Sequence, residues 1–550
     1  ADASEDVDTD LFSRQIYVLG VNAQRRLGRA RVLVLGLGGV GVEVSKNLLL
    51  SGASTLFLAD GSRVRAEDLA TNYLATEDDV EARRSRAGVA AAALRGMSAG
   101  AHAAIEEVEL LGEGRGLAAF LKRNSVDVVV LCDHAVGAAL RVNDATRRAG
   151  AKLVQVNCHG LFGSLFCDFG DDFHVEDADG KDPRAELLAR VARAGTGAGG
   201  ALAVSTLEGT RHGLHSGEKV RLRGVRGLDE DTVFTVAVKT PYLFEARRDG
   251  DEAESDGDAN GEAEVELAPG ATFLEVKERV PVPFTPLRDA LLKPEILATD
   301  FGKMDLARQV TVHACFQNWH KALAGAGGSP SAAVAKLFEL TRTFGEEVHA
   351  NLAGAGGRRR KGKKVRFQPD EAIVRGFAQS GKGQTAAVTA VMGALAAQEA
   401  LKAITGVFAP VRQFLYFDAL ELHALLPEAE ELAGAAAADE RVLGQAALFG
   451  AEMQRRLSKL SVFVVGAGAI GCELLKLLAV MGVAAPGAGG SRGGGAPRGC
   501  LTVTDMDTIE VSNLSRQMLF TRDDVGQPKS LAAAAAARRI HPRLKTRALT

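Results

Sequence analysis

Two short glycine turns, GLGGVG from Gly36 and GAGAIG from Gly466, are where this chain could meet a phosphate. In a G-x-G-x-x-G turn the first glycine permits the reversal and the second lets backbone approach an anion. The helix that follows then points its N–H groups at that anion. Each turn is followed, after the next strand, by an acid, Asp60 and Asp505, placed to accept hydrogen bonds from ribose hydroxyls. Glycines and acids alone fit NAD and ATP equally. The segment after the second acid separates them, because it carries Asp505, Asp507, Asn513, Arg516, Gln517 and Lys529 in close succession. An arginine grips phosphoryl oxygens in a bidentate way, and a lysine supplies a point charge as negative charge builds on departing pyrophosphate. An enzyme that breaks a triphosphate needs both; a hydride transferase needs neither. At the matching places after the first turn stand Ser62, Thr71, Asn72 and Arg84 opposite Asp507, Arg516, Gln517 and Lys529, so the first set has lost most of its phosphate chemistry.

These residues sit in an internal repeat. SRQIYVLGVNAQRRL from Ser13 aligns with LGQAALFGAEMQRRL from Leu443 at an offset of 430, and the glycine turns align at the same offset. Beyond Gly482 the offset becomes 445, the difference falling in the Gly/Ala-rich stretch AAPGAGGSRGGGAPRG, which reads as a surface loop. Each copy reads as a β-branched strand, a glycine turn, a helix of period near 3.6 and a second strand ending in an acid, the βαβ unit of a doubly wound sheet. The first copy continues through VDVVVLCD from Val126 and KLVQVNC from Lys152; the second, with about two strands and two helices, stops at Thr550 short of their equivalents and would be poorly ordered alone. Arg14 has no partner in the repeat, since Gly444 stands opposite it. In a face-to-face pair of copies it reaches across to a nucleotide on the second.

The composition sets the frame. With 550 residues, 46% hydrophobic and 25% charged, the chain is long enough for about three to five domains. A formal charge of −3 provides no general field toward nucleic acid or anionic lipid. None of the six cysteines (Cys132, Cys158, Cys167, Cys315, Cys472 and Cys500) forms a C-x-x-C pair, which speaks against a disulfide framework or a zinc ribbon. Cys472, on the helix after the second turn, reads as a packed core thiol. The N-terminal residues are acidic, and no uncharged apolar run reaches the ~18 residues of a membrane span. The expected protein is soluble, in cytoplasm and nucleus, a monomeric pseudo-dimer without nucleic-acid or membrane partners or a resident metal cluster. Between the copies, short alternating stretches predict a β-rich insert over 168–270. Within it, eight acids between Asp249 and Glu264 read as a disordered loop. Helical periodicity follows over 271–355. The basic run Arg358–Lys364 reads as a solvated linker, a nuclear-import signal being the alternative, and a helix and strand within 356–430 could return the chain to the first sheet.

In combination, LFSRQIYVLG, HGLFGSLFCDFGDDF, EGTRHGLHSGEKV, QEALKAITGVFAPVRQFLYFDALE, GAGAIGCELLK and VTDMDTIEVSNLSRQMLF resemble the single-chain ubiquitin-activating enzymes of the ThiF/MoeB-like adenylation superfamily. The resemblance covers nearly the whole chain. It implies an α/β fold with two Rossmann-like adenylation units, the second truncated. Residues 1–167 and 356–430 would form an inactive half, 168–270 the β-rich first catalytic-cysteine half-domain, 271–355 a four-helix bundle, and 431–550 the active half. It also implies ATP with Mg2+, ubiquitin as the adenylated partner, and ubiquitin-conjugating enzymes as partners of the full-length family. By position, Gly466, Gly468, Ala469 and Gly471 would form the nucleotide turn and Asp505 would hold ribose. Asp507, Asn513, Arg516, Gln517 and Lys529 would line the phosphates, and Arg14 would be the cross-half arginine. The family's Mg2+-contacting aspartate of the active half and its acyl-accepting cysteine have no counterpart up to Thr550; the first copy's match to that aspartate is Asp133. A non-catalytic ubiquitin binder and an NAD-dependent oxidoreductase are the competing readings.

Overall fold

The computed structural model describes residues 7–97, 104–108, 115–194, 201–248, 262–298, 300–327, 330–355, 367–381, 383–425, 440–485 and 499–550. Most of the acidic loop, the basic run and most of the glycine-rich loop lie outside them. The chain divides into two compact units. One comprises Ala1–Phe173, Val282–Gly406 and Pro410–Thr550, the other His174–Pro281 with Val407–Ala409.

In the first unit, five parallel strands run in the spatial order Ala104–Glu107, Thr55–Ala59, Arg31–Leu35, Val128–Cys132, Lys152–His159. That is the 3-2-1-4-5 order of a doubly wound sheet. The central strands are unbroken apolar runs, with Val32, Leu33, Val34 and Val128 through Leu131 fully buried, as strands covered on both faces must be. Phe162–Asp168, Phe414–Asp418 and Ile296–Leu297 extend this sheet, Phe162–Asp168 antiparallel to both its neighbours and Ile296–Leu297 parallel to Phe414–Asp418. The helix Ala386–Thr405, which precedes the returning strand Phe414–Asp418, lies against the helix Gly39–Leu50. A methyl on Gly393 would stand 2.6 Å from Glu43 Cβ, so a bare backbone is what permits the approach. Ala386–Thr405 is also long and apolar enough to cross a membrane. It carries Glu399 and Lys402 and buries Met392, Ala396 and Ala400 completely, so its apolar composition is that of a core helix.

The second copy has three parallel strands, Val462–Val465, Leu501–Thr504 and Thr546–Leu549, one more than the sequence reading counted, because the segment after Leu544 pairs as a full strand. Its helices are Leu443–Leu457, Ala469–Val480 and Lys529–Ile540. The repeat holds down to single hydrogen bonds. Gln15 and Gln24 donate to Ser51 O at 3.0 and 3.2 Å, and Gln445 and Gln454 donate to Met481 O at 3.1 and 2.9 Å. Gly20 and Gly450 break their helix pairs with the same left-handed backbone, φ +82° and +76°.

The copies meet through equivalent helices, Gly39–Leu50 and Ala469–Val480. Each carries an acid and a lysine three residues apart, Glu43 with Lys46 and Glu473 with Lys476. Lys46 bonds Glu473 at 2.5 Å and Glu43 at 3.1 Å, and Lys476 bonds Glu473 at 2.6 Å and also Glu43. Both lysines are fully buried. Burial alone would lower the Lys46 ammonium, but Glu43 and Glu473 hold it above its ordinary value.

The remaining expectations shift at their boundaries. The β-rich part begins after the first sheet's strand has ended at Asp168 and runs to Pro281 instead of 270, because Thr272, Phe273 and Leu274 pair with Leu187, Glu186 and Ala185. Within this unit six antiparallel strands between Ala185 and Val276 close into a barrel, and Glu262–Val265 pairs beside Ala185–Ala194. The last acids of the predicted disordered loop are therefore strand; residues 249–261 lie outside the described ones. Val191, Val204, Val220, Leu222, Phe234, Phe244 and Phe273 fill the barrel. The predicted four-helix bundle over 271–355 is, among the described residues, two long helices, Leu306–Gly325 and Pro330–Ala355, with the one-turn Leu287–Ala290. A further helix, Glu371–Ser380, supplies Ile373 and Phe377 to the same core as Trp319 and Leu337.

Candidate nucleotide-binding site

In the second copy the strand Val462–Val465 ends at Gly466, whose φ of +95° suits only glycine without strain. Gly466 N–H donates to Thr504 O at 2.8 Å, tying the turn to the neighbouring strand. The helix Ala469–Val480 begins directly after Gly468. A methyl on Gly471 would lie 2.0 Å from Gly466 O, so the third glycine closes the turn against the helix; a methyl on Gly468 would meet nothing within 4 Å. The positive end of a twelve-residue helix thus opens onto empty space, where an anion is favoured.

Asp505 is fixed beneath this turn. Its Oδ2 accepts from Ala467 N–H at 2.6 Å and its Oδ1 from Asp507 N–H at 2.9 Å, which leaves further lone pairs for a ligand's hydroxyls. Asp507 in turn holds Lys529, with Nζ at 2.9 Å from Oδ2 and the Lys529 N–H at 3.0 Å from Asp507 O. Lys529 is the first residue of the helix Lys529–Ile540, so its ammonium stem starts from a rigid element. A second group stands on the next turn. Buried Asn513 caps it through Glu510 N–H at 3.2 Å, Arg516 bonds Ser512 O at 2.5 Å, and Gln517 is buried with Oε1 lacking a partner among the described residues. Arg14, from the first copy's helix Ser13–Leu19, comes close to Arg516. Burial and the nearby Arg14 charge both lower the Arg516 pKa. Among the described residues neither guanidinium makes an ion pair, an arrangement that suits an anion between them. Asp505, Asp507 and Lys529 thus form one bonded group beside the glycine turn, and Asn513, Arg516 and Gln517 lie on the turn that follows, approached by Arg14 from the first copy.

The first copy has the same scaffold in a different state. Gly36 has φ +91°, Asp60 accepts from Leu37 N–H and Ser62 N–H at 2.7 Å each, and a methyl on Gly41 would lie 1.9 Å from Gly36 O. At the helix end, however, Thr71 stands where the second copy has Arg516. A methyl on Gly39 would meet Thr71 Oγ1 at 2.3 Å, and Thr71 is held there by Gln384 at 3.1 Å. Arg84, opposite Lys529, turns away to Asp79 at 2.7 Å. Arg86, which the sequence reading passed over, makes a bidentate pair with Asp68 at 2.9 and 2.6 Å and stands 3.7 Å from Asp60. The second copy has Asn513 and Leu531 at those two places, a difference visible in the alignment but legible only once the pair is seen to sit beside the acid.

Five of the six cysteines are poorly suited as nucleophiles. Burial pushes the Cys132, Cys158 and Cys167 thiols well above their ordinary value and those of Cys315 and Cys472 up to about 12. No thiolate forms readily at these five positions. Among the described residues no three His, Cys, Asp or Glu side chains converge as a metal cage.

A parallel-stranded α/β unit with a glycine turn, present twice in one chain, defines an internally repeated α/β protein. The sequence profile of the ThiF family matches residues 12–435 and 441–550, and the chain belongs to that family. It is 34% identical over 547 residues to the "Ubiquitin-activating enzyme E1 1" of Schizosaccharomyces pombe, covering 98% of this chain and 48% of that protein. Against the human "Ubiquitin-like modifier-activating enzyme 1" it is 35% identical over 549 residues, 98% of this chain and 47% of the relative. Against the human "Ubiquitin-like modifier-activating enzyme 7" it is 36% identical over 564 residues, 100% and 50%. The chain spans about half the length of these relatives.

Proposed function

We propose that this chain carries the ATP-binding part of an enzyme that adenylates the C-terminal carboxylate of ubiquitin, the first step of ubiquitin conjugation, and that the second copy holds the nucleotide. One observation carries the reading: in the second copy Asp505 sits beneath the glycine turn and links through Asp507 to Lys529, and Arg516 and Arg14 come close together, whereas in the first copy the places of Arg516 and Lys529 are taken by Thr71, set against Gly39, and by Arg84, paired with Asp79. Asp505 would take the ribose hydroxyls. The backbone at Gly468 and Ala469 would meet phosphate, Arg516 and Arg14 would bind phosphoryl oxygens from the two halves, and Lys529, steered by Asp507, would follow charge onto the departing pyrophosphate. Gln517 and Asn513 would shape the wall of the site. Mg2+ would accompany the nucleotide and screen its phosphate charge. Ubiquitin-conjugating enzymes would take the activated protein from the whole enzyme.

Titration calorimetry with ATP and with NAD tests this. The expected result is ATP binding without NAD binding, weakened about tenfold to a hundredfold by Arg516→Ala or Arg14→Ala, the scale of a lost charge-assisted contact. Equal binding of NAD, or ATP affinity indifferent to both arginines, would overturn the assignment.

A further inference from the structure

The first copy encloses a cavity of about 810 Å³ at the carboxyl ends of its central strands. That is the place where doubly wound sheets take ligands, and the size suits a small molecule. Its walls are of two kinds. Leu117, Leu131 and Val142 form an apolar side, and Asp60, Ser62 and Arg86 a polar one. Asp60 is presented just as Asp505 is, with each oxygen fixed by one backbone N–H at 2.7 Å and lone pairs remaining for a vicinal diol. The cavity reaches the phosphate end, where Gly36 and Gly38 line it, but that end is narrowed and acidic. Thr71 covers Gly39, and Asp133, fixed by Cys158 N–H at 2.8 Å, places its second carboxylate oxygen 4.0 Å from where a Gly38 side chain would begin. Counting charges on the lining, Asp60, Asp68 and Asp133 stand against Arg86 and Arg141. Arg86 is already committed to Asp68 and Asp60.

We infer that this cavity is a second, non-catalytic site that takes an uncharged nucleoside, its ribose diol on Asp60 and its base against the apolar wall, and that it rejects phosphorylated forms. The aromatic face of a base also suits the guanidinium of Arg86, which stacks on π systems. The pocket has kept the half of a nucleotide site that reads sugar and base while replacing the half that reads phosphate. From the proposed function the inference borrows only the equivalence of Asp60 with Asp505.

The test uses the full chain carrying Asp505→Ala, which removes the second copy's ribose acceptor, and titrates adenosine, AMP and ATP with and without Mg2+. Adenosine is expected to bind at one site and at least tenfold more tightly than AMP or ATP. Asp60→Asn in that background should weaken adenosine at least tenfold, and so should Ser62→Phe, which crowds the cavity from a partly exposed position without touching the core. Absence of adenosine binding at millimolar concentration, AMP or ATP binding as tight as adenosine, or adenosine binding unchanged by Ser62→Phe would each overturn the inference. Failure of ATP binding to respond to Arg516→Ala in the unmodified chain bears on the proposed function alone.

Discussion

The same strand, turn and helix occur twice in this molecule, in two settings. In the first copy the strand Arg31–Leu35 lies between two parallel neighbours and is sealed on both faces. In the second, Val462–Val465 pairs only with Leu501–Thr504 among the described strands, and Phe463, Val465 and Ile470 are 58%, 78% and 78% exposed. The turns differ in chemistry as well, since Arg516 and the Asp507-bound Lys529 of the second copy are matched in the first by Thr71 and by Arg84, which pairs with Asp79. The contrast shows that the scaffold and its chemistry are separable. Gly36, Gly41 and the two bonds to Asp60 persist where Thr71 has replaced an arginine, because they fix the turn whether or not anything binds to it.

The largest expected effect comes from breaking what joins the copies. Lys476→Met leaves buried Glu43 and partly exposed Glu473 sharing one lysine, and removing one partner of a buried ion pair costs about 3–5 kcal/mol. Urea unfolding should show it, and a loss below about 1 kcal/mol would mean that the quartet is solvated in solution and does not hold the halves in register.

Acid should next separate the first copy's surroundings from the second copy. Burial lowers the pKa of His313 to about 4 and of His159 to about 3. His313 bonds Leu291 O and Tyr416 Oη at 2.9 and 2.5 Å, and His159 stacks among Phe316, Trp319 and Phe377. A histidine with a depressed native pKa binds fewer protons folded than unfolded, so its contribution is intact above about pH 6.5 and is lost as pH falls toward the native value. For His313 the loss by pH 4 is on the order of 3 kcal/mol. Hydrogen exchange should therefore show Leu306–Gly325 opening before Leu501–Thr504 on acidification; the reverse order would break the assignment.

A smaller pair of substitutions sharpens the chemical contrast. Gly41→Ala and Gly471→Ala each force a methyl onto a carbonyl oxygen at about 2 Å, and overpacking of this kind costs about 1–3 kcal/mol. Both should lower the melting temperature. Only Gly471→Ala should abolish ATP binding, and loss of ATP binding in Gly41→Ala would mean that the first copy takes nucleotide too.

Much of this was legible in the sequence because glycine turns, β-branched strands and the acid after them are local signals, and a repeat doubles each one. Arg14 was legible as an asymmetry against Gly444, although its proximity to Arg516 needed the pairing of the copies. What closes the first turn was not legible. Thr71 against Gly39 depends on Gln384, more than 300 residues away, and no local pattern encodes such a contact. The extension of the barrel past residue 270 to Val276 was missed for a similar reason, since Leu267–Val276 is stabilised by strands remote in sequence. The third strand of the second copy was legible as the start of a strand over Leu544–Thr550, but its pairing with Leu501–Thr504 needed the structure.

The acid-lysine quartet has a further consequence. On a twofold axis a surface meets itself, so in a dimer of identical chains every substitution appears on both sides at once, and only self-matching changes survive. Covalent joining of the copies removes that rule, because each side can then vary singly. Away from the axis, Thr71 and Arg516 have used that liberty. On the axis, Glu43 with Lys46 and Glu473 with Lys476 still mirror one another, as if the older symmetric assembly were being kept in the one place where departing from it strands a charge.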